Sequence, residues 1–244
     1  MPKLHIYKNE KETCNAFAEW FAELVNNALK LQARFTVALS GGETPKLFYK
    51  ILASDYKDKI DWSKLYIFWG DEKFILSADG GSNAALTAKT LFDYVAIPKE
   101  QIHIIRTDVP PAESARKYEN LLHQYFNDNE STFDLVILGM GKDGNTLSLF
   151  PGNNENNEKS AWVIPLYNKE ADLYRITLTS PVINASKVKA FLITGKNKQD
   201  AVQHALKGKY DPEKYPAQLI QTVHKTVHWF LDESAAGKLI KIIS

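Results

Sequence analysis

Apolar residues fall along this chain in two alternating rhythms. Compact runs at "LHIY" (4–7), "FTVAL" (35–39), "LYIFW" (65–69), "IHII" (102–105), "FDLVILG" (133–139), "RITLT" (175–179) and "VKAFLIT" (188–194) have the length and residue types of strands. Between them the apolar positions take a helical spacing. Phe17, Trp20, Phe21, Leu24, Val25 and Ala28 mark one helix, and Tyr118, Leu121, Leu122, Tyr125 and Phe126 another. Pro45 suits the first position of a helix that opens after "SGGETP". A further helix is expected from about Asn83, beyond a loop with Gly80 and Gly81. "KQDAVQHAL" (198–206) and "TVHWFLDESAA" (226–236) also read as helices. "NNENNE" (153–158) is too polar to build a core and reads as an exposed loop.

This alternation predicts an α/β fold: a doubly wound, mostly parallel sheet with helices on both faces. No repeat and no linker divides the chain, so one domain over 1–244 is expected. In such sheets ligands bind beyond the carboxyl ends of the strands. Three polar, glycine-bearing segments fall there: 40–44, 70–73 and 139–145.

Composition narrows the partners. The chain has 244 residues, 44% of them hydrophobic, with 30 Lys+Arg against 29 Asp+Glu. A net charge of +1 sets up no global field for nucleic acid or an acidic membrane, so any anionic ligand needs a local cluster. Neither nucleic acid nor membrane is an expected partner. A single cysteine, Cys14, excludes an internal disulfide and fits a reducing cytosol. No CxxC or Cys/His cluster suggests a metal. The start "MPKLHIYKNEKE" is too polar for a signal peptide, and no apolar run nears the roughly 18 residues of a membrane span. A soluble cytoplasmic protein is expected. The sequence does not set the oligomeric state; a monomer is the working expectation.

Each candidate segment has a chemical and a plain reading. In Ser40-Gly41-Gly42-Glu43-Thr44-Pro45, two glycines allow close backbone approach, the helix start offers unpaired N–H groups, and the hydroxyls add donors. That is a phosphate cradle, or a tight turn with Thr44 as helix cap. It is not a Walker loop, because no Gly-Lys-Ser/Thr follows. Asp71 in "GDEK" could take a proton or bind sugar hydroxyls, or simply cap a helix from a solvated loop. Arg175 and Lys198 could hold a dianionic phosphate, or be ordinary surface cations. In "GMGKDGN" (139–145) the glycines permit a sharp turn, and Asp143 or Asn145 could orient a partner or cap a helix. Asn145 donates and accepts hydrogen bonds but takes up no proton near neutral pH.

Taken together, "VALSGGETPKLFY", "DWSKLYIFWGDEKF", "SNAALTAKTLF", "FDLVILGMGKDGNTLSLFPG", "RITLTSPVINASKVKAFLITG" and "WFLDESAA" resemble the 6-phosphogluconolactonase family, in its order and over nearly the whole chain. The resemblance implies a Rossmann-like fold of the sugar-phosphate isomerase type, related to glucosamine-6-phosphate deaminases. It implies hydrolysis of 6-phospho-D-glucono-1,5-lactone in the pentose phosphate pathway, on a small phosphosugar lactone and without metal or organic cofactor. Ser40, Gly41, Gly42 and Thr44 are then expected to hold the phosphate with Arg175 and Lys198. Asp71 matches the acid of the family's Gly-Asp-Glu-Arg segment, and Lys73 replaces its Arg, keeping charge but losing the fork.

The larger departure is Asn145, where the family pattern reads Asp-Gly-His and the His is taken as general base. Three readings follow. Asp71 or Asp143 serves as base while Asn145 orients the water; or catalysis is lost and a phosphosugar is only bound; or the residue is an engineered change. An amino-sugar-phosphate isomerase or deaminase is the enzymatic alternative, against which the lactonase-like "SLFPG" stands. His224 and His228 are the histidines that could reach the site from outside the matched segments.

Overall fold

The computed structural model describes residues 2–75, 81–127, 129–220 and 226–239. In chain order it runs β1 (Lys3–Tyr7), α1 (Glu10–Leu29), β2 (Phe35–Leu39), α2 (Glu43–Asp55), β3 (Leu65–Trp69), β4 (Asp71–Lys73), α3 (Asn83–Thr87) and α4 (Pro111–Phe126). There follow β5 (Leu135–Leu138), β6 (Val163–Asn168), β7 (Leu173–Leu178), α5 (Ser180–Asn184), β8 (Val188–Ile193), α6 (Gln199–Lys207), β9 (Val227–Asp232) and α7 (Glu233–Ala236).

Six of the strands form a parallel sheet in the order β1-β9-β8-β5-β2-β3. The strands β2 and β5 are buried along their whole length, as expected for a sheet covered on both faces. On one face Phe17 and Phe21 of α1 meet Phe230 and Phe35 edge-on, with Phe48 of α2 beside them. On the other face Phe68 packs against Tyr125 and Phe126 of α4. The doubly wound α/β architecture expected from the sequence is therefore present. Helix α1 shows why local sequence suffices where it does. Asn9 is extended and accepts the Glu12 N–H at 2.9 Å, and Cys14, Phe17, Ala18, Phe21 and Val25 form one buried stripe.

Three expectations need correction. Residues 226–236 are mainly strand β9 rather than helix, because Val227–Asp232 fill the slot between β1 and β8, where ladder bonds on both sides outweigh helix propensity. "IHII" makes a lone bridge from Ile102 to Ile67 at the sheet edge, with Ile104 half exposed, and no strand. "NNENNE" is largely exposed as expected, with a 3-10 turn over Asn154–Asn157 in which Asn156 is buried, its Nδ2 donating to Phe150 O at 2.7 Å. "RITLT" leaves the main sheet: β7 is the centre of a second, antiparallel sheet, β4-β7-β6, whose strand β6 the apolar pattern did not reveal. Among the described residues no helix is long and apolar enough to cross a membrane.

Candidate active site

Strand order reverses at β2, which has β3 on one side and β5 on the other. Crevices open at such switch points, outside the carboxyl ends of the strands. Here that crevice is a cleft of about 620 Å³. Ser40, Gly41, Gly42, Thr44, Asp71, Lys73, Asn145, Arg175 and Lys198 all line it, so segments far apart in sequence converge on one space. Asp143 is exposed and stands behind Asn145 rather than in the lining.

The turn after β2 is built for close approach. Gly42 caps α2 with φ +107, a conformation that L side chains rarely adopt, and no side chain caps the helix start. The first-turn N–H groups are left for a ligand. A Cβ on Gly41 would meet Asn83 Oδ1 at 1.8 Å, so glycine there lets α3 close over the turn. Tyr49, fully buried, donates to Ser40 O at 2.5 Å and pins the turn from below; burial pushes its phenol well above the usual range. The Thr44 and Thr194 hydroxyls lie 2.8 Å apart, and Thr194 donates to Glu10 at 3.0 Å. Lys198 ends a 3-10 turn ahead of α6. Partial burial lowers its pKa; the Asp143 charge opposes that shift and Lys142 adds to it.

Across the cleft, antiparallel pairing of β4 and β7 sets Asp71 opposite Thr177 and Lys73 opposite Arg175. Asp71 and Arg175 are thus diagonal neighbours on one face. Arg175 Nη2 reaches Asp71 Oδ2 at 2.6 Å, Ser148 Oγ donates to the same oxygen at 2.6 Å, and Asn83 Nδ2 donates to Oδ1 at 3.3 Å. Asp71 is 3% exposed, so its plain reading as a solvated-loop acid does not hold. Two cations placed directly opposite each other would repel. Lys73 avoids this by donating to Gly81 O at 2.9 Å while Arg175 turns to Asp71.

Glu72 points the other way and is 2% exposed. Its carboxylate accepts the N–H groups of Lys73, Asn83 and Ala84, tying β4 to the start of α3. Burial raises its pKa, those backbone hydrogen bonds pull it back, and the Asp71 charge raises it further.

The 139–145 turn closes on itself through Gly141 N to Asn145 O at 3.0 Å. Asp143 accepts both the backbone N–H and the side-chain Nδ2 of Asn145, each at 3.2 Å. The amide nitrogen is thereby engaged, and Oδ1 is the side-chain atom left to act as acceptor. No described histidine lines the cleft. His228 pairs with His5 on strands β9 and β1, and His224 lies outside the described residues. Among the described residues no group of His, Cys, Asp and Glu could hold a metal ion.

Sequence reasoning missed Asn83, Ser148, Glu72, Glu10 and Thr194. Only a polar residue inside an apolar run, as at Ser148 in "LSLF", hinted at any of them.

Comparisons with known proteins bear on the family and the fold. The family model described as glucosamine-6-phosphate isomerases/6-phosphogluconolactonase matches residues 8–229. A 6-phosphogluconolactonase of Nostoc sp. is 39% identical over 219 residues, 88% of this chain and 89% of the relative. One from Haemophilus influenzae is 35% identical, over 83% of this chain and 87% of the relative. The crystal structure of 6-phosphogluconolactonase from Thermotoga maritima superposes with TM-score 0.82 at 26% identity, covering 95% of this chain and 100% of that one. A monomeric glucosamine-6-phosphate deaminase shares the fold at TM-score 0.82 and 21% identity, over 96% of this chain and 98% of that one. With the family model over most of its length and relatives at this identity, the chain belongs to the glucosamine-6-phosphate isomerase/6-phosphogluconolactonase family.

Proposed function

We propose that this protein hydrolyses 6-phospho-D-glucono-1,5-lactone to 6-phospho-D-gluconate, the lactonase step of the oxidative pentose phosphate pathway. The observation that carries this is convergence: a glycine cradle, three cations and the Asn145 turn line one cleft, in a chain with lactonase relatives over most of its length. Phosphate sits against Gly41, Gly42 and the start of α2, with Ser40 and Thr44 hydroxyls, Arg175 and Lys198 as further donors. Lys73 meets the sugar. The lactone carbonyl lies between Asp71 and Asn145.

Water bound to Asn145 Oδ1 attacks the carbonyl carbon. Its proton leaves toward Asp143, the carboxylate with open lone pairs on the solvent side. The tetrahedral oxyanion collapses, the bond to the ring oxygen breaks, and that oxygen is protonated from solvent. Asp71 serves by orientation, since its oxygens are already met by Arg175, Ser148 and Asn83. We place the reaction in the cytoplasm, for which the lone, buried Cys14 is suited, and assign it to a monomer acting on a small molecule rather than on nucleic acid.

The test is lactone hydrolysis on freshly made substrate with the spontaneous rate subtracted. Turnover above background is expected. A second reading, a phosphosugar binder without turnover, is favoured by the amide at position 145. Binding of 6-phosphogluconate with no turnover would establish it, and ammonia release from glucosamine 6-phosphate would instead mark a deaminase.

A further inference from the structure

We infer that Ser148 is a positioning residue, whose buried hydroxyl fixes the Arg175 guanidinium against Asp71 and so aims its remaining N–H groups into the cleft. The inference rests on the proposed role of Arg175 in holding the substrate phosphate.

Ser148 is fully buried, and its Oγ has two partners. It donates to Asp71 Oδ2 at 2.6 Å and accepts from Arg175 Nε. Arg175 Nη2 closes the ring of contacts on the same Asp71 oxygen at 2.6 Å. A guanidinium carries N–H donors on two edges. Here the Nε/Nη2 edge is spent on Ser148 and Asp71, and Nη1 is left for a ligand. Without the hydroxyl, Nε loses its acceptor and the guanidinium keeps one hydrogen bond, to Asp71, about which it can rotate.

The chain goes to some length to place this hydroxyl. Leu147 takes φ +52, unusual for a residue with a side chain, and the turn is closed by Leu149 N to Thr146 O at 3.0 Å. A Cβ on Gly70 would meet Leu147 Cδ2 at 2.5 Å, so the absence of a side chain at residue 70 lets Leu147 pack closely against it. The same turn presents Asn145 to the cleft on its outer side and Ser148 to the Asp71–Arg175 pair on its inner side. One segment therefore sets the reacting end of the cleft and the cation that anchors the ligand.

The experiment is a double-mutant cycle on the full chain with Ser148→Ala, Arg175→Ala and both together. KM and kcat are read on the phosphorylated lactone, and Kd for 6-phosphogluconate by calorimetry. Ser148→Ala is expected to raise KM and Kd about tenfold while kcat changes less than about threefold, and to add less than about twofold once Arg175 is gone. A purely structural serine would give equal losses in both backgrounds, and that additivity would overturn the inference. So would an unchanged KM and Kd in Ser148→Ala while Arg175→Ala weakens binding. An Arg175→Ala protein that binds as wild type would instead remove the phosphate role itself. Should Ser148→Ala fold poorly, Ser148→Cys keeps a small side chain with a weaker donor. An intermediate loss is expected there, and wild-type affinity overturns the proposal.

Discussion

At the scale of single residues the proposed chemistry turns on what the Asn145 amide can do at a position where the family resemblance implies an imidazole. Asn145 Nδ2 is held by Asp143, which leaves Oδ1 to accept a hydrogen bond from water; the amide itself takes up no proton, so in the proposed mechanism that proton goes to the exposed Asp143 carboxylate. Asn145→His should therefore raise the rate at pH 7.5 at least about tenfold, within the range of about 10² to 10⁴ that a well-placed base supplies. The variant should also gain a limb that rises with pH near about 6.5, where an unperturbed imidazole titrates. Wild type, with no described histidine in the lining, should show no such limb between about pH 6 and 7. A pH–rate profile of both proteins decides this; a wild-type limb at that position would mean that a histidine outside the described lining acts as base. Asp143→Asn tests the other half of the pair. It should lower kcat by about tenfold or more and leave KM within about twofold, since Asp143 stands outside the lining and, in the proposed mechanism, takes the water's proton rather than holding the substrate.

At the scale of elements, β9 carries both the clearest misreading and a pH-dependent term. "TVHWFLDESAA" has apolar residues on helical and strand spacings alike, and nothing local to 226–236 reveals that β1 and β8 wait on either side of it. The glycine turns were legible because each needs its residue types locally: Gly42 for its backbone angle, Thr44 and the helix start for their donors. Asp71, Arg175 and Ser148 were not legible as a set, because antiparallel pairing in a small sheet brings them together across 104 and 27 positions of sequence. On β9 itself, His228 Nδ1 lies 3.1 Å from His5 Nε2, with Trp20 and Phe230 against the rings. Burial first, then the charges of His5 and Lys3, push the His228 pKa down to about 4. The unfolded chain binds a proton here near its ordinary value of about 6.5, so between the two values the unfolded state holds more protons and stability rises with pH. The contribution is complete above about pH 6.5 and is lost as pH falls toward 4. Urea unfolding at pH 7, 5.5 and 4.5 should show a smaller acid loss for His228→Phe than for wild type. Parallel losses would remove this pair from the acid response.

At the scale of the whole molecule, a net charge of +1 leaves affinity for an anion to the cleft alone. Arg175, Lys198 and Lys73 line it, yet so do Asp71, Glu10 and Asp232. Arg175 is already paired, and the cradle contributes N–H groups rather than full charge. Specificity should therefore follow the phosphate group and its hydrogen-bond geometry more than bulk charge. The parts that would grip it come from the ends of β2, β5 and β8 and from the small sheet, so a bound ligand ties together layers that unfolding must separate. At a ligand concentration near 100 times Kd, linkage adds about 2.7 kcal/mol. For a chain of this size each kcal/mol moves Tm by roughly 2–4 °C, so 6-phosphogluconate should raise Tm by about 5–10 °C. Gluconate at the same concentration, identical but for the phosphate, should raise it by less than about 2 °C. Equal shifts from the two ligands would locate the affinity in the sugar rather than in the 40–44 turn. No shift from either would leave the cleft without its proposed ligand, whatever the rate assay returned.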